Sequence, residues 1–306
     1  MVSDGYVDVL GHKLYYKSLG DPTKGSLLCL HGGPGLTHDY LLPLADLATF
    51  GYKVVFYDQL GCGKSEVPMN VGLFTIERAV EEVEGVRESL GLGSVHLYGS
   101  SYGGLLAIAY ALKYQKHILS LVTTGGVANV PFWISEMDKL RASLPQEVLA
   151  TLQRYEEAGD FGNPEYQKAT QEFYNRFYCR LKQWPKELLY SLEHLSQQVY
   201  LTMNGPTGFA IVGGIRYWDV SDQLSEIRVP ALITCGKFDV VPCSVAAGIH
   251  KGIEGSKLVV FEKSSHVPMW EERAKYIDDL RRFLDQVTTN RSKDKSSSVS
   301  QPKRLG

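Results

Sequence analysis

The sequence predicts an α/β fold: a mostly parallel central sheet flanked by helices, with an inserted helical cap. Three observations predict it. Short apolar runs rich in β-branched and aromatic residues recur in both halves of the chain, the pattern of strands buried on both faces. Helical stretches separate them, and strand–helix alternation argues for parallel pairing through crossover helices. Between the alternating regions, residues 128–217 are polar-aromatic and helical in period, with no convincing strand. Such a block is most simply a cap over one edge of the sheet.

Taken in order, the strands of the first part (1–127) are expected at Leu14–Tyr16, Leu27–Leu30, Val54–Tyr57, Val95–Tyr98 and Leu119–Thr123. A helix follows Thr75, which can cap it. Ile76, Ala79, Val80, Val83, Val86 and Leu90 recur on one face at i, i+3, i+4 spacing. Glu77, Glu81, Glu82, Glu84 and Glu88 fill the other face and read as a solvated surface. Gly103–Tyr114 is apolar almost throughout and reads as a buried helix. In the second part (218–288), Ala231–Cys235 and Leu258–Phe261 read as core strands and Tyr276–Val287 as a closing amphipathic helix. Residues 289–306 hold almost nothing apolar and read as a disordered tail, because such a segment cannot offset the entropy of ordering.

Composition narrows the function. Hydrophobic residues are 44% of the 306 and charged residues 22%, a balance that supports a core and excludes a mostly disordered chain. A net charge of −2 lacks the basic surplus of a nucleic-acid binder. No run reaches the ~18–20 apolar residues of a membrane span. Met1–Gly5 has neither a basic nor an apolar leader region, so a cytoplasmic protein is expected, with a monomer as the default state. Five scattered cysteines, none in C-x-x-C, suggest neither a disulfide framework nor a cysteine-based zinc site.

The strongest chemical signal is Gly99-Ser100-Ser101-Tyr102-Gly103, placed after a strand and before a buried helix. G-x-S-x-G at that junction is a nucleophile elbow, whose tight turn needs glycine at both flanks and exposes the serine hydroxyl. Centring the pattern on Ser100 would put tyrosines where glycines are needed, so Ser101 is the candidate nucleophile. A serine needs a base, and the base needs a third group to fix its tautomer. In this topology the chain order is serine, acid, histidine. Asp239 and His266 each lie in a loop just past the carboxyl end of a late strand, where open α/β sheets place their sites. His12, His96, His117, His194 and His250 have no comparable placement.

The glycine-rich turn His31-Gly32-Gly33-Pro34-Gly35 can present a backbone N–H toward the nucleophile. With the N–H of Tyr102 it would form an oxyanion hole. His31 reads as a structural member of that turn. Gly61-Cys62-Gly63-Lys64-Ser65 ends like a phosphate-binding loop, but Asp58 stands where its first glycine belongs, so it reads as a tight turn. Cap aromatics (Phe132, Trp133, Tyr174, Phe177, Tyr178, Trp184, Tyr217, Trp218) could line an apolar substrate pocket.

On these residues the chain resembles the α/β-hydrolase superfamily, and within it the proline iminopeptidases of the tricorn-interacting aminopeptidase type. The resemblance runs from Gly5 to about Leu284. It rests on His31–Gly35, Tyr57–Ser65, Gly99–Gly104, Met203-Asn204-Gly205-Pro206 and the Asp239 and His266 loops. It implies the triad Ser101, Asp239 and His266, oxyanion donors at Gly33 and Tyr102, and a roofing cap. It also implies no metal or organic cofactor, and a small-molecule or short-peptide substrate. Two glutamates that the family uses to grip a free α-ammonium fall at positions held here by Gly208 and Val240. Burying an unpaired ammonium is expensive, so an uncharged amide, ester or lactone is the expected substrate. Two alternatives remain at this point. One is a true proline iminopeptidase using a relocated acid such as Glu136, Asp138, Glu156 or Glu157. The other is a non-hydrolytic acyltransferase, lyase or ligand-binding protein.

Overall fold

The computed structural model describes residues 1–299, with side chains through Arg291. Eight strands form one sheet: β1 (Val2–Val9), β2 (His12–Leu19), β3 (Gly25–Leu30), β4 (Tyr52–Tyr57), β5 (Val95–Ser100), β6 (Ile118–Thr124), β7 (Ala231–Gly236) and β8 (Lys257–Phe261). Their order is β1-β2-β4-β3-β5-β6-β7-β8. The β1–β2 and β2–β4 pairs are antiparallel and all other pairs parallel.

Alternation along the central strands shows why the sheet is covered on both sides. Leu28, Leu30, Val55, Tyr57, Val95 and Leu97 point into one core. Leu27, Cys29, Val54, Phe56 and Tyr98 point into the other. On the first face pack α1 (Ile76–Ser89), through Val80, Val83 and Val86, and the buried α2 (Tyr102–Tyr114). Thr75 caps α1 as expected, its hydroxyl accepting from the Arg78 N–H.

Between β6 and β7 lie five helices: α3 (Val130–Ala142), α4 (Gln146–Ala158), α5 (Pro164–Phe177), α6 (Lys186–Glu193) and α7 (Gln197–Met203). After β7 come α8 (Cys243–Gly252) on the first face, the single turn α9 (Pro268–Glu271), and α10 (Arg273–Val299). Tyr276, Leu280, Phe283 and Leu284 of α10 share the second core with Leu41, Leu44 and Leu47 of a 3₁₀ stretch, His38–Phe50.

The elements not expected include β1, the 3₁₀ stretch and the short helices α8 and α9. β1 is an edge strand with Asp4, Gly5 and Asp8 among exposed or half-buried positions, so it carries little apolar signal. The 3₁₀ stretch contains Pro43, which hides a helical period. One boundary is corrected: α10 continues through the first part of the segment expected to be a tail, while residues 300–306 lie outside those described. No helix among the described residues is long and apolar enough to cross a membrane.

Candidate active site

The elbow places Ser101. The chain leaves β5 and enters α2 with Ser101 at φ +57° and ψ −125°, one of two non-glycine residues with positive φ among the described residues. The flanking glycines are required by space. A Cβ on Gly99 would come within 2.0 Å of the Gly103 carbonyl oxygen, and one on Gly103 within 2.1 Å of the Leu30 carbonyl oxygen. The Ser101 N–H donates to the Thr124 carbonyl (2.8 Å), which ties the elbow to the end of β6. A buried network fixes that end: the Thr124 hydroxyl meets the Tyr276 hydroxyl at 2.6 Å and the Thr234 hydroxyl at 2.8 Å.

Asp239 and His266 arrive from the ends of β7 and β8. They are only 1% and 3% exposed, and His266 Nδ1 donates to Asp239 Oδ1 at 2.6 Å. The Val241 N–H also donates to Oδ1, at 2.8 Å, so the carboxylate is aimed from two sides. This pairing fixes the proton on Nδ1 and leaves Nε2 as the basic nitrogen. The His266 loop is pinned to the chain that follows it. Glu271 accepts from the Ser265 N–H (2.7 Å) and Glu272 from the Lys263 N–H (3.0 Å) and the Ser264 hydroxyl (2.7 Å). Burial raises the Glu271 pKa despite those donors. These two glutamates had no signal in the sequence beyond adjacency to the loop.

Gly125 joins the elbow to the acid–base pair. It follows Thr124 at φ +54°, and a Cβ there would lie 2.9 Å from the His266 ring and 3.0 Å from Asp239 Oδ2. The imidazole therefore packs directly on the backbone that holds Ser101. The Ser101 hydroxyl and His266 Nε2 are not hydrogen-bonded to each other here; such bonds are often long without substrate and tighten when it binds.

On the other side of Ser101, the turn His31–Gly35 closes in. A Cβ on Gly32 would reach within 2.7 Å of the Ser101 Cβ, and the Gly32 N–H donates to the Tyr40 hydroxyl at 2.8 Å. The N–H groups of Gly33 and Tyr102 have no acceptor among the described residues. Tyr102 owes this to its place in the first turn of α2, where helical N–H groups lack internal partners. His31 is fully buried; its Nε2 accepts from the Gln59 N–H (3.0 Å), and burial lowers its pKa to about 4. It is a neutral strut between two turns. The Gly61–Ser65 turn closes on Asp58, which accepts from the Lys64 N–H (3.0 Å) and His38 Nδ1 (2.8 Å). That geometry leaves no phosphate cradle.

Above Ser101 and Gly33 lies a cavity of about 340 Å³ under the cap. Tyr166, Tyr174, Tyr178 and Tyr200 dominate it, with Gln167, Thr170, Gln197 and Thr207, and no carboxylate is among its lining residues. Gly208 is among its lining residues. A Cβ on Gly208 would lie 2.8 Å from the Tyr174 hydroxyl, so the phenol occupies the space a longer side chain would need.

Six of the eight cap aromatics, Phe177 and Trp184 among them, are not lining residues of this cavity. Phe132 is 41% and Tyr217 78% exposed. Trp133 donates its indole N–H to the Val240 carbonyl (3.2 Å), behind the acid loop, and the Trp218 carbonyl accepts from Val130. Val240 is buried against this cluster and does not reach the cavity. The aromatics that do face it, Tyr174 and Tyr178, were visible only as members of the cap set, since helical periodicity does not say which face of a cap looks down.

Residues 25–273 match the family model described as the alpha/beta hydrolase fold. The chain belongs to the α/β-hydrolase family, in its proline iminopeptidase branch. It is 47% identical over 291 residues to a proline iminopeptidase of Saccharolobus solfataricus, covering 94% of this chain and 93% of that one. It is 48% identical over 286 residues to one of Thermoplasma volcanium, covering 92% and 97%. A solved proline iminopeptidase of Mycobacterium smegmatis superposes with a TM-score of 0.88 at 31% identity, covering 94% of this chain and 99% of that one. This member of the family is a hydrolase of the proline-iminopeptidase-like type.

Proposed function

We propose that Ser101, His266 and Asp239 act as a catalytic triad on a small amide, ester or lactone whose acyl group carries no charge. The observation that carries this is the packing of the Asp239–His266 pair against the backbone that holds the elbow serine. Ser101 Oγ attacks the acyl carbon while His266 Nε2 takes its proton. Asp239 holds Nδ1–H and stabilises the imidazolium. The developing oxyanion meets the N–H groups of Gly33 and Tyr102, each such donor being worth ~10²–10³ in rate. His266 returns the proton to the leaving group, and water resolves the acyl-enzyme by the same route.

The cavity argues for the uncharged acyl group. Its polar lining is phenol, hydroxyl and carboxamide. Burial raises the pKa of Tyr174 to about 12 and raises those of Tyr178 and Tyr200, so all three stay neutral. An ammonium placed there would have no carboxylate to repay its desolvation. The second reading, a proline iminopeptidase, has support of its own. Proline iminopeptidases are close relatives, and Glu156 lies one residue behind the wall, accepting from the Tyr166 hydroxyl at 3.4 Å. Glu156 is already matched by Arg141 at 2.6 Å, which weakens it as an ammonium partner. We place the enzyme in the cytoplasm on its free cysteines.

Initial rates on p-nitrophenyl butyrate and L-prolyl-p-nitroanilide, with Ser101→Ala as the blank, separate the two readings. Butyrate turnover that exceeds the anilide rate and vanishes in the variant is the expected result. Preferred, Ser101-dependent cleavage of the prolyl anilide would overturn the substrate assignment.

A further inference from the structure

The acid loop is bracketed by two cysteines. Cys235 is the penultimate residue of β7, Cys243 is the first residue of α8, and Asp239 lies midway between them. Their sulfurs are 2.9 Å apart, about 0.9 Å longer than a disulfide bond. The two thiols are not alike. Cys235 is fully buried, whereas Cys243 is partly exposed at the N-terminus of a ten-residue helix. The Cys235 thiol donates to Cys243 and holds the Cys243 pKa below its ordinary value; the same contact, with burial, raises that of Cys235. Helix N-termini also favour a thiolate. An accessible, thiolate-prone cysteine with a buried partner at its sulfur is the arrangement of an attacking and a resolving thiol.

We propose that Cys235 and Cys243 form a reversible disulfide that switches the hydrolase off by shifting the Asp239 loop. The oxidant is a low-molecular-weight disulfide. The Cys243 thiolate attacks one of its sulfurs and expels the other as a thiolate, leaving a mixed disulfide. The Cys235 sulfur then attacks Cys243 Sγ and expels the second small thiolate, which takes up the Cys235 proton as it leaves. Two protein thiols are oxidised to one disulfide, and one small disulfide is reduced to two thiols. Closing the gap moves Cys243 relative to β7. Two changes couple oxidation to the site: the shift is passed on through the Val241 N–H that donates to Asp239 Oδ1, and the Cys243 thiol loses the proton it donates to the Gly236 carbonyl at 3.3 Å. Gly236 packs closely on the histidine loop, since a Cβ there would meet the Ser265 carbonyl oxygen at 2.1 Å.

The test treats the full chain with glutathione disulfide, then reads intact mass, tryptic peptides and the rate on p-nitrophenyl butyrate. Lys237 lies between the cysteines, so trypsin leaves 229–237 and 238–251 joined only through the new bond. The expected result is a mass loss of two hydrogens, that linked pair, and a kcat about 10- to 100-fold lower that dithiothreitol restores. Cys243→Ser should keep the reduced rate and ignore the oxidant, and Cys235→Ser should stop at the glutathione adduct. No linked pair overturns the modification site. A linked pair with unchanged kcat overturns the switch. The mass readout is independent of the triad assignment; only the rate readout rests on it.

Discussion

Ser101 holds a backbone conformation that L-residues avoid, at φ +57°. Such strain costs about 1–3 kcal/mol and persists only where the surroundings over-determine it. Here the Thr124 carbonyl, the two flanking glycines and the start of α2 do so. Asp239 differs: it is buried and, in the proposed triad, acts through the histidine ring it accepts from. Replacing it by asparagine keeps the shape but lets the amide donate to Nδ1, which puts the proton on the wrong nitrogen. Asp239→Asn should therefore leave thermal stability nearly unchanged and lower kcat roughly 10⁴-fold, with KM little altered. Steady-state kinetics beside a melting curve checks this; a loss below tenfold would mean that the tautomer is fixed by something else.

At the scale of elements, legibility followed burial. β3, β4, β5 and β7 are covered on both faces, so their runs are apolar at successive residues and easily read. The elbow was legible for a different reason, since the steric need for Gly99 and Gly103 writes itself into the sequence. β1 was not, because an edge strand can be polar and still pair its backbone with β2. The pocket was the least legible part. Tyr174, Tyr178 and Tyr200 face the cavity while Phe132 and Tyr217 face solvent, though all five look alike in sequence. Which face of each cap helix looks toward Ser101 depends on contacts between distant segments, such as the Ser196 N–H on the Gly35 carbonyl (2.8 Å).

At the scale of the whole molecule, buried histidines make stability depend on pH. Burial lowers the pKa of His96 from 6.5 to about 4, and that of His31 similarly. In the unfolded chain each takes up a proton below about pH 6.5, while in the fold neither does until about pH 4. The unfolded state is thus favoured progressively as pH falls through that window. For His96 the shift corresponds to roughly 3 kcal/mol by pH 4, at ~1.4 kcal/mol per unit. Glu82 acts in the opposite sense, because burial raises its pKa to about 7 and favours the fold at low pH. The difference between wild type and His96→Gln isolates the histidine. Urea midpoints at pH 7 and pH 4.5 should show the variant losing less stability on acidification, and parallel losses would contradict the assignment.

The proposed hydrolysis turns on Ser101 as the nucleophile. A fluorophosphonate probe, followed by peptide mass mapping, tests that most directly. The predicted result is a single adduct on Ser101 with hydrolysis abolished in step, and no adduct in Ser101→Ala. Continued hydrolysis in that variant, or an adduct on any other residue, would contradict it.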